Sequence, residues 1–174
     1  MVADFAAEFR RYRALAEKAM AQVSDDALNH VPGPDANSIA MLVRHVSGNL
    51  RSRFTDFLTS DGEKPWRDRD TEFAEQPYSR DEMNAMWAEG WGVLELALTT
   101  LSEADAQQTV QIRGESLTVH QALNRALAHV AYHVGQIVLL ARVAVGGEWH
   151  SLSIPKGQSP QYNRRPTLDK PPAR

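Results

Sequence analysis

Two histidines four residues apart, His129 and His133, are the residues of this chain whose types and spacing best suit metal binding. They lie in a long apolar segment with helical periodicity, and at that spacing both imidazoles leave the same face of a helix, with Cβ atoms roughly 5–6 Å apart. Transition metals bind imidazole nitrogens at about 2.0–2.1 Å, so both rings can reach one ion without distorting the backbone. Taken alone, this spacing favours chance or two hydrogen-bonded core histidines over a metal site.

A third histidine and two amides extend the pattern. His45 falls within another apolar helical segment, so we expect its side chain to face inward as well. Three inward histidines on two helices predict a metal site made of His45, His129 and His133. Gln136 continues the polar stripe of that helix, and Asn49 follows His45 by one turn. Either amide could orient a ligand beside the metal, or it could be a buried amide bonded to the backbone.

The other three histidines are not expected at this site. His120 precedes His129 by nine residues, a rotation of about 180° on a helix of 3.6 residues per turn, and so points the opposite way. His30 and His150 fall in predicted irregular segments. No glutamate stands between the paired histidines, so the general base of a His-Glu-x-x-His protease is absent from that segment.

Composition limits the function classes. A chain of 174 residues, 43% hydrophobic and 24% charged, has the size and composition of one globular domain, and we expect residues 1–174 to form one. Its net charge of -3 favours neither nucleic acid nor an anionic membrane surface as a partner. Without cysteine, any thiol chemistry needs an exogenous thiol. Because no signal-like or uninterrupted ~18-residue apolar segment is present, we expect a cytoplasmic location.

Periodicity predicts the elements that must position the histidines. Apolar residues at helical spacing indicate four helices, at about 3–22, 38–58, 80–101 and 119–145. Ser38 is the expected N-cap of the second helix, and capping boxes are expected at Ser79 and Thr118. The polar residues 59–78 are predicted to form a long connection without a helix. Residues 107–117 are predicted to form an extended connector or a short hairpin, and residues 146–174 an irregular tail. The expected fold is an all-α four-helix bundle.

These residues together resemble a known family. An inward histidine on the second helix and a His-x-x-x-His-x-Gly-Gln-Ile run on the fourth are similar to the DinB/YfiT-like superfamily of metal-binding bundles. The run consists of His129, His133, Gly135, Gln136 and Ile137. A tail containing Leu152-Ser153-Ile154-Pro155-Lys156-Gly157-Gln158-Ser159 and Tyr162-Asn163 resembles one uncharacterised branch, so the resemblance covers nearly the whole chain.

The resemblance implies a ligand set and a chemistry. Carried over by position, it makes His45, His129 and His133 the metal ligands. It implies a divalent ion such as zinc or nickel, pairing as a homodimer, and an activity among transferases and isomerases that use a low-molecular-weight thiol.

Three neutral imidazoles leave a coordination position open, as in catalytic rather than structural zinc sites. We therefore expect a metal-dependent enzyme acting on a small molecule, with transfer of a thiol to an electrophile as the leading hypothesis. Hydrolysis by metal-activated water and a non-catalytic metal-binding dimeric scaffold are the alternatives.

Overall fold

Four long helices dominate the structure, a computed structural model that describes residues 1–164 and residue 166. They are α1 (Val2–Met20), α3 (Ile39–Phe54), α4 (Arg80–Thr100) and α5 (Val119–Val145); two short helices are α2 (Asp25–Asn29) and α6 (Ser159–Arg164). Three 3₁₀ turns span Asp70–Phe73, Glu103–Gln107 and Gly146–Glu148. Helix α1 packs mainly on α5 and α3 on α4, and α3 also contacts α5. The predicted all-α class with four long helices is confirmed.

The predicted N-terminal caps are present. The Ser79 hydroxyl accepts a hydrogen bond from the Glu82 amide at 3.2 Å, and the Glu82 carboxylate accepts one from the Ser79 amide at 2.8 Å. Thr118 and Gln121 form the same reciprocal pair at the start of α5. Each box satisfies amide groups that a helix start leaves free, so these helices begin where the sequence predicts.

The predicted ends of the helices were less accurate than their predicted starts. Helix α3 ends at Phe54 rather than at 58, because Thr55 is extended and Asp56 has a φ of 49°, outside the helical region. Phe57 continues the apolar pattern and is buried, but from the turn that follows the helix. Helix α1 likewise ends at Met20 rather than at 22.

Two short helices occupy segments predicted as irregular. Helix α2 lies in the connection after α1, where the Ser24 hydroxyl accepts from the Ala27 amide and caps it. Helix α6 lies in the predicted tail, so that tail is not irregular throughout. Residue 165 and residues 167–174 of the predicted tail lie outside the described residues.

The extended connector is a true hairpin of two strands, β1 (Thr109–Ile112) and β2 (Glu115–Thr118), paired antiparallel. Its turn residues Arg113 and Gly114 both have positive φ, at 55° and 74°, as a two-residue hairpin turn requires. The Asp61 carboxylate accepts from both of their amides at 2.8 Å. The hairpin turn is thereby held against the long connection that follows α3.

The hydrophobic core lies between the helices, and the backbones of α3 and α4 approach each other closely. Trp91 is fully buried, with ring contacts to Phe9 and Trp87 at centroid distances of 6.4 and 5.3 Å. A Cβ at Gly90 would lie 2.7 Å from the Cα of Ser47. A side chain at Gly90 would therefore force α4 away from α3, the helix that carries His45.

Helix α5 is the most apolar element. Among the described residues, Val119–Glu148 alone is long and apolar enough to cross a membrane, with a mean hydropathy of 1.4 in its best 18-residue window. The core helix of a soluble bundle has the same length and composition, and α5 packs here on α1 and α3. Only 28% of that window is buried, so packing within the bundle accounts for part of the apolar composition.

Candidate metal centre

The three predicted histidines meet at one point between α3 and α5. His45 comes from α3, and His129 and His133 come from successive turns of α5. One ring nitrogen from each lies within 4.8 Å of the others, and the Nε2 atoms of His45 and His129 are 3.0 Å apart. His45 and His133 are buried and His129 is half-buried. Convergence of three imidazoles at this spacing makes a group that could hold a metal ion.

A buried carboxylate fixes the orientation of His45. Glu72, from the 3₁₀ turn at Asp70–Phe73, accepts a hydrogen bond from the His45 Nδ1 at 2.8 Å. The same carboxylate accepts from Nε and Nη2 of Arg67 at 2.8 and 2.9 Å. Because an ionised carboxylate can only accept, the His45 Nδ1 carries the proton and its Nε2 keeps the lone pair that a metal needs.

Glycine at position 48 makes room for this carboxylate. A Cβ there would lie 2.2 Å from Oε1 of Glu72. The atoms it would meet belong to the end of the Glu72 side chain, so a side chain at this position would displace that carboxylate from His45 and Arg67. The approach of Glu72 to His45 therefore depends on the absence of a side chain at Gly48.

The other two histidines differ in their second nitrogen. The Nδ1 of His133 lies 2.9 Å from Oε1 of Gln136 and donates to it, which leaves Nε2 free. The Nδ1 of His129 is buried with no hydrogen-bond partner among the described residues. An unpartnered buried ring nitrogen is uncommon and costly in a folded protein, so His129 is the least satisfied member of the group.

Burial and neighbouring charge keep the imidazoles neutral. Burial lowers the pKa of His129 to about 3, and the nearby His133, His45 and Arg67 act in the same direction. Burial also holds the pKa of His133 below its ordinary value, against the opposing hydrogen bond to Gln136. A neutral imidazole is the form that binds a metal, so both rings are in the required state at neutral pH.

The carboxylate behind His45 is ionised. Burial acts to raise the pKa of Glu72, but the hydrogen bonds from His45 and Arg67, together with the positive charge of Arg67, outweigh burial. The net pKa of Glu72 therefore lies below its usual range. A negative charge at this position makes a hydrogen-bonded imidazole a stronger electron donor.

A pocket of about 610 Å³ opens over the histidines, a volume suited to a small organic molecule. All three histidines line it, as do the two predicted amide residues, Asn49 and Gln136. The exposed Tyr132 also lines it. His120 is exposed beside Phe5 at the other side of α5, in agreement with the expected rotation.

The sequence did not indicate Glu72 or Arg67. Both lie in the polar connection 59–78, where neighbouring residues have the same charges, and nothing in the local pattern separates them from solvated residues. Their role arises from contacts with α3, whose His45 is 27 residues away from Glu72. Only the folded arrangement identifies them.

Comparison with known proteins gives a family without a described function. No curated protein and no solved structure matches this chain. A family model matches residues 1–158, which include all three histidines, Glu72 and the whole pocket. The chain belongs to the family described as "Protein of unknown function (DUF1572)".

Proposed function

We propose that this protein binds a divalent transition metal through His45, His129 and His133 and uses it to act on a small molecule held in the pocket above them. The observation that carries the proposal is the convergence of three imidazole nitrogens within 4.8 Å at the floor of a 610 Å³ pocket. Three histidine ligands with an open side are the donor set of catalytic zinc sites.

The residues around the histidines fit a metal. Glu72 and Gln136 hold the Nδ1 atoms of His45 and His133, so the Nε2 atoms are the ones available as ligands. The Nε2 of His129 lies 3.0 Å from that of His45, so it is placed to complete the ligand set, while its Nδ1 is buried with no hydrogen-bond partner among the described residues. A bound divalent ion would supply Lewis-acid chemistry. It would lower the pKa of a bound thiol or water molecule towards neutrality.

Transfer of an exogenous thiol to an electrophile is the reaction we favour. None of the described residues lining the pocket is Asp or Glu, and the one carboxylate behind the histidines, Glu72, is occupied by His45 and Arg67. Without a free carboxylate, activation of water would depend on the metal alone, whereas a thiol is intrinsically the more acidic group and more readily becomes the nucleophilic thiolate. Zinc and nickel are the metals we propose, because both accept imidazole ligands.

Elemental analysis of the purified, untagged protein tests metal binding. We expect near-stoichiometric metal after incubation with zinc or nickel, and its loss in His45→Ala and His129→Ala. His120→Ala, on the same helix but outside the site, is the matched control and should keep the metal. Failure of the folded parent to take up either ion, or retention by both site variants, would overturn the proposal. Circular dichroism establishes that each variant is folded.

An assay of the metal-loaded protein separates transferase from the alternatives. We expect metal-dependent consumption of a low-molecular-weight thiol, such as glutathione, in the presence of an alkylating electrophile. Product release without thiol would favour the hydrolase instead. A metal-binding scaffold would show no rate above the uncatalysed background with any thiol tested.

A further inference from the structure

We propose that the pocket over the histidines binds a small molecule carrying a carboxylate or a phosphate group, and that Arg69 and Arg125 bind this anionic group. The inference rests on the proposed function in one respect, because it names the substrate class of the same pocket. It is carried by the charges that line the pocket.

The pocket is strongly cationic within an acidic protein. Five arginines line it, and none of the described lining residues is acidic, although the chain has a net charge of -3. The arginines are Arg53, Arg67, Arg69, Arg113 and Arg125. A concave surface of one sign concentrates ligands of the opposite sign, so this lining selects for an anion.

Carboxylates beside the pocket balance only part of this charge. Arg53 and Arg113 share Glu63, at 3.1 and 2.8 Å, and Arg67 pairs with Glu72. Arg69 and Arg125 have no ion pair within the described part of the chain. Five guanidinium groups therefore face two carboxylates, and the two unpaired ones are available to a ligand.

The positions of the two unpaired arginines suit a ligand that also reaches the histidines. Arg125 is four residues before His129 on α5, about 6 Å along the helix axis at 1.5 Å per residue. Arg69 lies at the loop side, where its guanidinium stacks 5.1 Å from the ring centroid of Phe73, which in turn lies 4.6 Å from the His45 ring. An anionic group between these arginines would leave the rest of a small molecule next to the imidazoles.

A buried donor without a partner gives independent support. The Arg67 side chain is only 2% exposed, and its Nη1 is buried with no hydrogen-bond partner among the described residues. A buried charged donor left unpaired is costly, and Arg67 lines the pocket, so Glu72 does not fully satisfy the guanidinium at this part of the pocket wall. Arginine is also well suited to bind the paired oxygens of carboxylate and phosphate.

Isothermal titration calorimetry with three probes tests the inference on the full chain, both metal-free and nickel-loaded. The probes are succinate, its uncharged analogue succinamide, and inorganic phosphate. We expect succinate, phosphate or both to bind, with affinity falling as salt is raised, and succinamide not to bind. The stronger of the two anions distinguishes carboxylate from phosphate as the preferred group.

Arginine variants then locate the binding. Arg125→Gln and Arg69→Gln should each weaken anion binding by about tenfold. Arg142→Gln removes an exposed arginine of the same helix outside the pocket and should leave binding unchanged. Equal binding of succinamide, or anion binding unaffected by either pocket variant, would overturn the inference.

Metal content measured on the same samples keeps the two proposals separable. Stoichiometric metal without anion binding would overturn the anion inference and leave the metal proposal standing. Anion binding by the metal-free protein that depends on Arg125 would support the inference even if no metal were taken up.

Discussion

Glu72 links the histidine cluster to the stability of the protein, because one buried carboxylate satisfies both His45 and Arg67. Glu72→Gln would remove its charge and leave the Arg67 guanidinium buried without a counter-ion. We expect metal affinity to fall roughly 10- to 100-fold, the usual effect of losing such a partner. The free energy of unfolding should fall by about 3–5 kcal/mol, as when one partner of a buried ion pair is removed.

Chelator competition measures the first effect of this substitution and denaturant unfolding the second. Glu89→Gln is the control, since Glu89 forms an exposed pair with Arg51 and should change neither quantity appreciably. Unchanged metal affinity in folded Glu72→Gln would contradict a positioning role for this residue.

The depressed pKa values of the histidines predict acid sensitivity of the metal-free protein. His129 has a pKa of about 3 in the folded state against 6.5 ordinarily, so between these values the unfolded chain binds a proton that the folded protein does not. Stability should therefore fall as pH drops from 6.5 towards 3, by at most about 1.4 kcal/mol per pH unit and less because the ring is half-exposed. His133, whose pKa is also lowered, acts in the same direction.

Urea unfolding of the metal-free protein at pH 7.5, 6.5 and 5.5 measures this slope. His129→Gln should make the dependence shallower, whereas His120→Gln, at an exposed position of the same helix, should not. A slope that is the same in parent and His129→Gln would show that His129 does not contribute.

At the scale of elements, one side chain bonds both amides of the hairpin turn. The Asp61 carboxylate accepts from the amides of Glu63, Gly114 and Arg113, and these bonds hold the pKa of Asp61 below its usual value. Asp61→Ala should release the turn and speed hydrogen exchange at Arg113 and Gly114 while leaving metal content unchanged, because the histidines lie on α3 and α5. Asp81→Ala, at an exposed position in the first turn of α4, is the control for removing a carboxylate. Unchanged exchange at the turn would contradict the role of Asp61.

The starts of the helices could be predicted from the sequence better than their ends. A capping box is local, so Ser79 with Glu82 and Thr118 with Gln121 mark α4 and α5 within a few residues. The end of α3 has no comparable local signal, because the buried Phe57 continues the apolar pattern after the backbone has left the helix at Thr55. The apolar pattern indicates which residues are buried, and here the buried positions continue beyond the last helical residue.

At the scale of the whole molecule, the histidine group was predictable and its surroundings were not. His129 and His133 share one helix, and the apolar pattern around His45 showed its inward direction. The arginines of the pocket come from α3, the long connection, the hairpin and α5, so no single segment reveals them. The alternating run at 67–70 is typical of solvated chain, yet in the fold Arg67 and Arg69 line the pocket, while Asp68 accepts from amides of the following 3₁₀ turn.

We propose that the exposed face of α5 would form the contact of the homodimer that the family resemblance implies. Tyr132, Leu139 and Val143 are 64%, 61% and 70% exposed and are spaced by seven and four residues, so they share one face of the helix. A row of apolar side chains on one helix can pair with the same row of a second copy about a two-fold axis. Because Tyr132 also lines the pocket, a partner on this face would border the pocket opening.

Light scattering after size-exclusion chromatography tests this pairing. We expect a dimer for the parent and a monomer for Leu139→Asp, because a carboxylate at the centre of an apolar interface is desolvated without a partner. Leu96→Asp is the matched control, since Leu96 is an equally exposed leucine, at 67%, on α4, and its substitution should leave the dimer intact. Metal content should be the same in both variants, because neither position contacts the histidines. A monomeric parent, or a Leu139→Asp protein that remains dimeric, would show that the apolar row does not mediate dimer formation.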